Sequence, residues 1–401
     1  PRSISDPALS AKLDAIKSDS SLSDEERSKQ RTELLYEQWS NKAINEPYEP
    51  GSTFKAMVLA AALEEGVVSE NDTFVCTGAA TVADRTIKCS KRTGHGTQTL
   101  AQAVANSCNP AFIAIGQRLG AEKFYDYVED FGFLSQTGID MMGEPNYSVF
   151  WSRDLFTSAN GITNLATASF GQRFKVTPIQ LLTAAASVIN GGHLMKPYVM
   201  ESITDANGNV LQHTEPTEVR QVISEDTSFK MRYALESVVA LGGAKGAYID
   251  GYKIGGKTGT AQKAKDGAYL SGEYILSTIA AAPIDDPQIV VYIALDAPKS
   301  NIQYGGTVVS PIVRNVLEDV LTLYEVKRTD DQMAKIKLWT DPVTIEVGDY
   351  IGQEYKKVKN ENLKLVKIGE GDVVVDQLPS PGVKIDEQGT VWLYCPKTAA
   401  K

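Results

Sequence analysis

The 401-residue sequence predicts a mixed α/β (α+β) fold, an antiparallel sheet flanked by helices, with a small separate module at the C-terminus. Three observations predict it. Helical periodicity dominates residues 52–189. Two strand-like runs, 274–282 and 288–295, are separated by the turn sequence Pro-Ile-Asp-Asp-Pro and should form a hairpin. A charged stretch at 327–337 then separates this body from a segment with short alternating runs.

In chain order, residues 1–40 read as a polar helical arm. Its helix spans about 24–39, with Ser23 and Glu26 at capping-box spacing and Asp24, Glu25 and Glu26 on the positive end of the helix dipole. Residues 41–326 form the main unit, closed by a helix at about 308–324. Residues 327–337 are a linker. Residues 338–401 read as a βαβββ-like module, with a helix at 349–360 and strands at 363–368, 372–377 and 391–394.

The net charge of −10, from 40 Lys and Arg against 50 Asp and Glu, leaves no basic surplus for phosphates and excludes a nucleic-acid partner. The longest apolar runs, 56–63 and 278–284, fall far short of the roughly 20 residues that span a bilayer. The chain opens on Pro1 without a signal peptide, so the expectation is a fragment whose membrane anchor has been left out.

Three short motifs carry the chemistry. In Pro50-Gly51-Ser52-Thr53-Phe54-Lys55, Gly and Pro end the preceding structure and an Ala/Leu/Met-rich helix runs to about Glu65. Ser52 and Lys55, three apart, share a face, and the positive helix end favours a neutral lysine able to take the serine proton. In Ser107-Cys108-Asn109-Pro110, Asn109 suits an N-cap and Pro110 a first helical position, which puts Ser107 in a turn between helices at 99–106 and 110–119. In Gly255-Gly256-Lys257-Thr258-Gly259-Thr260, glycines in a strand admit a ligand backbone, while Lys257, Thr258 and Thr260 suit a terminal carboxylate. Each alone also reads as capping or turn chemistry, and Ser-x-Asn recurs at 69–71 and 158–160.

Together and in this order the motifs are those of penicillin-binding proteins and class A β-lactamases. The chain resembles class B penicillin-binding proteins over most of its length, through Tyr48-Glu49-Pro50-Gly51-Ser52, Val176-Thr177-Pro178-Ile179-Gln180 and Asn190-Gly191-Gly192. Val374, Asp376, Gln377, Pro379, Pro381 and Gly382 make the C-terminal module resemble a single PASTA domain. That combination is most similar to the sporulation-specific members, although division-type members carry such modules too.

The resemblance implies a penicillin-binding/β-lactamase-like transpeptidase fold and a serine D,D-transpeptidase. Ser52 would attack the penultimate D-Ala carbonyl of a stem peptide ending in D-Ala-D-Ala. Lys55 would act as base, Ser107 and Lys257 would relay protons, and Asn109 would orient the acyl chain. Thr258, Gly259 and Thr260 would bind substrate, with the oxyanion between the backbone N–H groups of Ser52 and Thr260. It also implies acylation by β-lactam antibiotics, a role in spore cortex synthesis, a membrane glycosyltransferase partner and an anchored place on the extracytoplasmic face of the cell membrane. Competing readings are a β-lactamase, disfavoured because no Glu-x-x-Leu-Asn stretch is found, a β-lactam or muropeptide sensor, and a D,D-carboxypeptidase.

The serine chemistry requires no cofactor. Cys76, Cys89, His95 and Cys108 nevertheless form a Cys₃His set of the kind structural zinc favours, with Asp84 able to replace one cysteine. Some elongation-type transpeptidases resemble this in placing a zinc beside the active site, while most of the family lacks one. The alternative is a Cys76–Cys89 disulfide with Cys108 merely buried.

Overall fold

Three antiparallel strands, Gly255–Lys265, Ala268–Ala282 and Ile289–Asp296, build the main sheet of the computed structural model, which describes residues 7–265, 268–329, 331–333, 335, 344–386 and 390–397. The chain divides into two units, residues 1–335 and 336–401. Of the expected linker, residues 330, 334, 336 and 337 lie outside the described residues.

In the first unit the longest strand lies centrally. It pairs with Ile289–Asp296 from Ala282↔Ile289 to Ile275↔Asp296, the hairpin that the Pro-Ile-Asp-Asp-Pro turn predicts. On its other side it pairs with Gly255–Lys265, from Ala281↔Gly255 to Tyr274↔Gln262. The Gly-rich strand is therefore an edge of this sheet. Residues 276–282 are buried without alternation because both faces are covered. Helix Glu225–Leu241 packs on the Gly-rich strand, and Ser310–Leu323 packs on the hairpin through Val313, Leu317 and Leu321, four residues apart.

Helix Lys55–Glu64 is the hub of the helical half. Residues 55–62 are all buried, the mark of a helix enclosed on every side. Around it pack Asn109–Leu119, Pro178–Ile189 and Glu225–Leu241. Phe54, at its entrance, sits against Phe133 and Phe174 with ring centroids 5.1 and 4.8 Å apart.

The helical reading of 52–189 misses two small sheets, Thr73–Cys76 with Gly96–Thr99 and Ala79–Val82 with Arg85–Lys88. Strands of four residues are too short for an alternation to stand out. At the N-terminus, helix Asp24–Trp39 has both capping-box bonds between Ser23 and Glu26. It pairs with helix Pro7–Ser18 through Lys12 and Glu37 at 2.7 Å.

In the second unit, Thr390–Tyr394 lies between Lys364–Ile368, parallel to it, and Asp376–Leu378, antiparallel. Val347, Tyr350, Leu363, Val374, Val391, Leu393 and Cys395 fill its core. The helix expected at 349–360 does not form; only Tyr355–Lys357 makes a 3₁₀ turn. Gly352 takes a φ of +81°, and the Tyr355 backbone N–H, which a helix would aim at Ile351 O, donates to Asp372 O at 2.8 Å.

Candidate active site

The backbone before Ser52 is clamped. Tyr48 and Val176 exchange two backbone hydrogen bonds of 3.0 Å, and Gly51 N–H donates to Gly171 O at 2.8 Å. Gly171 has a φ of +80°, and a Cβ there would stand 1.9 Å from Gly51 O, so only glycine fits. The chain then makes a 3₁₀ turn, Gly51–Phe54, before the α-helix begins at Lys55. Ser52 thus lies in a 3₁₀ turn and not in the α-helix expected to start there.

Lys55 is only 1% exposed. Its Nζ donates to Ser107 O at 2.7 Å, Ser107 Oγ at 3.1 Å and Asn109 Oδ1 at 2.8 Å. The side-chain contact with Ser52 expected from the spacing is not a hydrogen bond among the described residues. The amine reaches across to the neighbouring helix pair instead.

Ser107 explains that reach. Helix Leu100–Ala105 ends with Ser107 N–H bonded to Val104 O and Cys108 N–H bonded to Ala103 O, a Schellman motif. The residue closing it is left-handed, and Ser107 accepts a φ of +50° where glycine is usual. That conformation costs about 1–2 kcal/mol and turns a hydroxyl inward. The next helix starts at Asn109 with Cys108 in the cap position, so Asn109 is not the N-cap. Its amide is engaged on both ends, by Lys55 and by donation to Lys88 O at 3.2 Å.

Lys257 enters from the edge strand, 2% exposed, and donates to Ser107 Oγ at 2.9 Å and Thr258 O at 3.1 Å. Gly259 lets this strand press on the serine turn, since a Cβ there would meet Ser277 Oγ at 2.5 Å and Pro50 O at 3.2 Å. Thr258 and Thr260 are half-buried, and Thr260 Oγ1 accepts Gly305 N–H at 3.4 Å. Burial pushes the Lys55 amine down to about 7, opposed weakly by the nearby cysteines. Lys257 falls well below the usual lysine range, through burial first and the charge of Lys55 second. Two amines able to be neutral thus share one hydroxyl.

Beside them, Cys76, Cys89, His95 and Cys108 bring their ligand atoms within 4.8 Å of one another. All four cysteines of the chain are free and buried, so the Cys76–Cys89 disulfide is not formed. Asp84 pairs instead with its neighbour Arg85 at 3.7 Å. Cys89 Sγ lies 3.7 Å from His95 Nδ1; the Cys108 contact holds the Cys89 thiol low, while Cys108 is pushed up. Three sulfurs and an imidazole at this spacing suit tetrahedral zinc, whose thiolate ligands stand about 3.8 Å apart.

Sequence reasoning missed Gly171 and Gly305, and it placed Glu49 in the run before Ser52 without giving it a role. Glu49 accepts from Tyr269 Oη at 3.2 Å on both carboxylate oxygens. An isolated glycine or glutamate carries no local signal of such distant partners.

The family described as "Penicillin binding protein transpeptidase domain" matches residues 13–318. Stage V sporulation protein D of Bacillus subtilis is 44% identical over 358 residues, covering 88% of this chain and 55% of that protein. A peptidoglycan D,D-transpeptidase FtsI homolog of Mesostigma viride is 29% identical, covering 72% and 52%. The solved D,D-transpeptidase domain of a peptidoglycan glycosyltransferase from Eggerthella lenta is 28% identical with a TM-score of 0.64, covering 79% and 71%. The chain spans about half the length of the curated relatives it matches. It belongs to the penicillin-binding protein transpeptidase family, as a class B member whose likeness extends to the sporulation type.

Proposed function

We propose that this chain is the acyl-transfer part of a serine D,D-transpeptidase that cross-links peptidoglycan stem peptides during spore cortex synthesis. The observation that carries the reading is the convergence of two buried amines, Lys55 and Lys257, on the Ser107 hydroxyl beside the Ser52 turn.

Ser52 Oγ attacks the penultimate D-Ala carbonyl as Lys55 takes its proton. The tetrahedral oxyanion rests between the Ser52 and Thr260 backbone N–H groups, each such donor contributing about 3–4 kcal/mol to the transition state. Collapse expels terminal D-alanine, whose nitrogen receives a proton through Lys257 and Ser107. The ester at Ser52 is then attacked by an amine of a second stem peptide; a proton leaves that nitrogen and Ser52 recovers its own. Asn109 holds the acyl chain, and Thr258 and Thr260 face the substrate carboxylate. A β-lactam enters the first half of this sequence, and its acyl group stays on Ser52.

Cys76, Cys89, His95 and Cys108 would hold a structural zinc, which supplies cross-linking between the 73–99 segment and the Ser107–Asn109 corner and no step of the reaction. The second unit is a PASTA module in this reading. The whole protein is anchored on the extracytoplasmic face of the membrane and works with a glycosyltransferase.

The test is mass spectrometry after incubation with benzylpenicillin. The wild-type chain gains one adduct on the peptide containing Ser52, and Ser52→Ala gains none. An adduct that persists in the variant, or maps elsewhere, overturns the assignment. Dimeric product from donor and acceptor stem peptides separates transpeptidation from simple release of D-alanine.

A further inference from the structure

A cleft borders the clamped segment that leads to Ser52. Its volume is about 290 Å³, and it lies between residues 42–49, Lys175, the last residues of the two outer strands and Ile275 at the middle of the central one. Ala261, next after Thr260, lines it, so it continues the edge strand that carries Lys257.

Six charged side chains line it: Lys42, Glu46, Glu49, Lys175, Lys263 and Asp296. Four are already satisfied by one another. Lys263 Nζ meets Asp296 at 2.7 Å, and Lys42 bridges Asp296 at 3.6 Å and Glu46 at 3.8 Å. The other two are not. Among the described residues, neither Glu49 nor Lys175 has an opposite charge within 4 Å. The Glu49 carboxylate is held by Tyr269 and the Arg173 backbone N–H, while the charges of Lys175 and Arg173 act on it only through space. Burial, the dominant influence on Glu49, outweighs these bonds and distant charges and keeps its charge costly.

A cation and a partly buried anion therefore line one cleft, too far apart to pair and near enough to feel each other. The chemical complement of that gap is a group carrying both charges. We propose that this cleft binds the ammonium-carboxylate end of an amino acid, its ammonium on Glu49 and its carboxylate on Lys175.

Two sources supply such a group. One is a free amino acid, for which D-alanine released by the reaction is the nearest candidate. The other is a stem peptide with a diamino acid whose side chain ends in its own ammonium and carboxylate. An extended chain rises about 3.3 Å per residue, so Thr260 and Lys263 are about 10 Å apart along the strand. A peptide lying on that edge with its terminus at Lys257–Thr260 would bring a residue two or three places back to the cleft. Both sources rest on the acyl-transfer reading above; the zwitterion site itself does not.

Titration of the full chain by calorimetry, with meso-2,6-diaminopimelate, pimelate, cadaverine and D-alanine as probes, tests the site. Diaminopimelate should bind at least tenfold more tightly than pimelate, which lacks the ammonium, or cadaverine, which lacks the carboxylate. Lys175→Ala, at an exposed position, should weaken diaminopimelate at least tenfold with an unchanged melting temperature, and Glu49→Gln should do so as a second variant. D-alanine matching diaminopimelate identifies the free amino acid as the source. A diaminopimelate stem peptide outbinding its lysine counterpart identifies the peptide. Equal binding of all probes, no binding, or an unaffected Lys175→Ala overturns the proposal. If benzylpenicillin still acylates the wild-type chain in that case, the acyl-transfer reading survives. If the zwitterion binds and no acylation occurs, that reading fails and the site stands alone.

Discussion

The amino group of Lys257 donates to the hydroxyl of Ser107 across 2.9 Å, tying the edge strand to a helix-ending turn 150 residues earlier in the chain. Ser107 Oγ also faces Lys55 Nζ at 3.1 Å, so this single oxygen is the only side-chain atom that both buried amines touch among the described residues. Removing it breaks the proton path without removing either amine. Ser107→Ala should slow benzylpenicillin acylation about 10²–10⁴-fold, the usual worth of a positioned proton-transfer group, measured by stopped-flow or timed mass spectrometry. Lys257→Ala should fall in the same range, and the double variant should lose little more, because the two act as one unit. Additive losses would show that they act separately.

The Lys55 amine titrates at about 7 because it is buried. A base works only when deprotonated, so its active fraction grows as pH rises through that value and is lost as pH falls. The acylation rate should climb with unit slope below pH 7 and level above it, with about one tenth of the plateau left at pH 6. Lys55→Arg keeps a permanent charge in the same place. It should abolish both the rate and its pH dependence. A flat profile for the wild-type chain would remove Lys55 from the role of base.

The Gly171–Gly51 contact makes a structural prediction. Gly171→Ala puts a methyl 1.9 Å from Gly51 O at a φ of +80°, so the clamp on the serine turn must open. A loss of about 2–3 kcal/mol of stability is expected, read as a lower melting temperature of the first unit. Acylation should slow beyond what the lost stability explains, since Ser52 is displaced while its chemistry is intact. Gly66→Ala is the control: its φ is also positive, +64°, but no atom lies within 4 Å. It should cost stability through strain alone and leave acylation unchanged.

Much of this was legible in the sequence, for a physical reason that also sets the limit. The hairpin at 274–295 announces itself through apolar runs and a proline turn, and helix 24–39 through its capping box; both signals are local. The ordering Ser52–Lys55, Ser107–Asn109, Lys257–Thr260 is also local to each motif, and the structure brings the three together. What was not legible depends on distant partners. Lys55 bonds Ser107 and Asn109 because Ser107 adopts a left-handed φ that serine does not advertise. The 349–360 segment looks helical until Asp372, 17 positions away, captures the Tyr355 N–H. Glu49 acquires its meaning only from Tyr269, 220 positions later.

Asn109 donates to Lys88 O, and the next residue along is Cys89, so the sulfur cluster and the Ser107–Asn109 corner share a hydrogen bond as well as Cys108. Protein purified without chelator should carry about one equivalent of zinc, and its three clustered thiols should resist a disulfide reagent until the metal is stripped. Chelation should lower the melting temperature and slow acylation by loosening Asn109, without preventing it, because the nucleophile and both amines lie outside the ligand set. His95→Ala offers a gentler route, since His95 is the half-exposed ligand of the four. It should reduce zinc affinity while the three cysteines keep their places. Less than about half an equivalent of metal, together with thiols that react at once, would show that the cluster is three reduced cysteines packed beside an imidazole and nothing more.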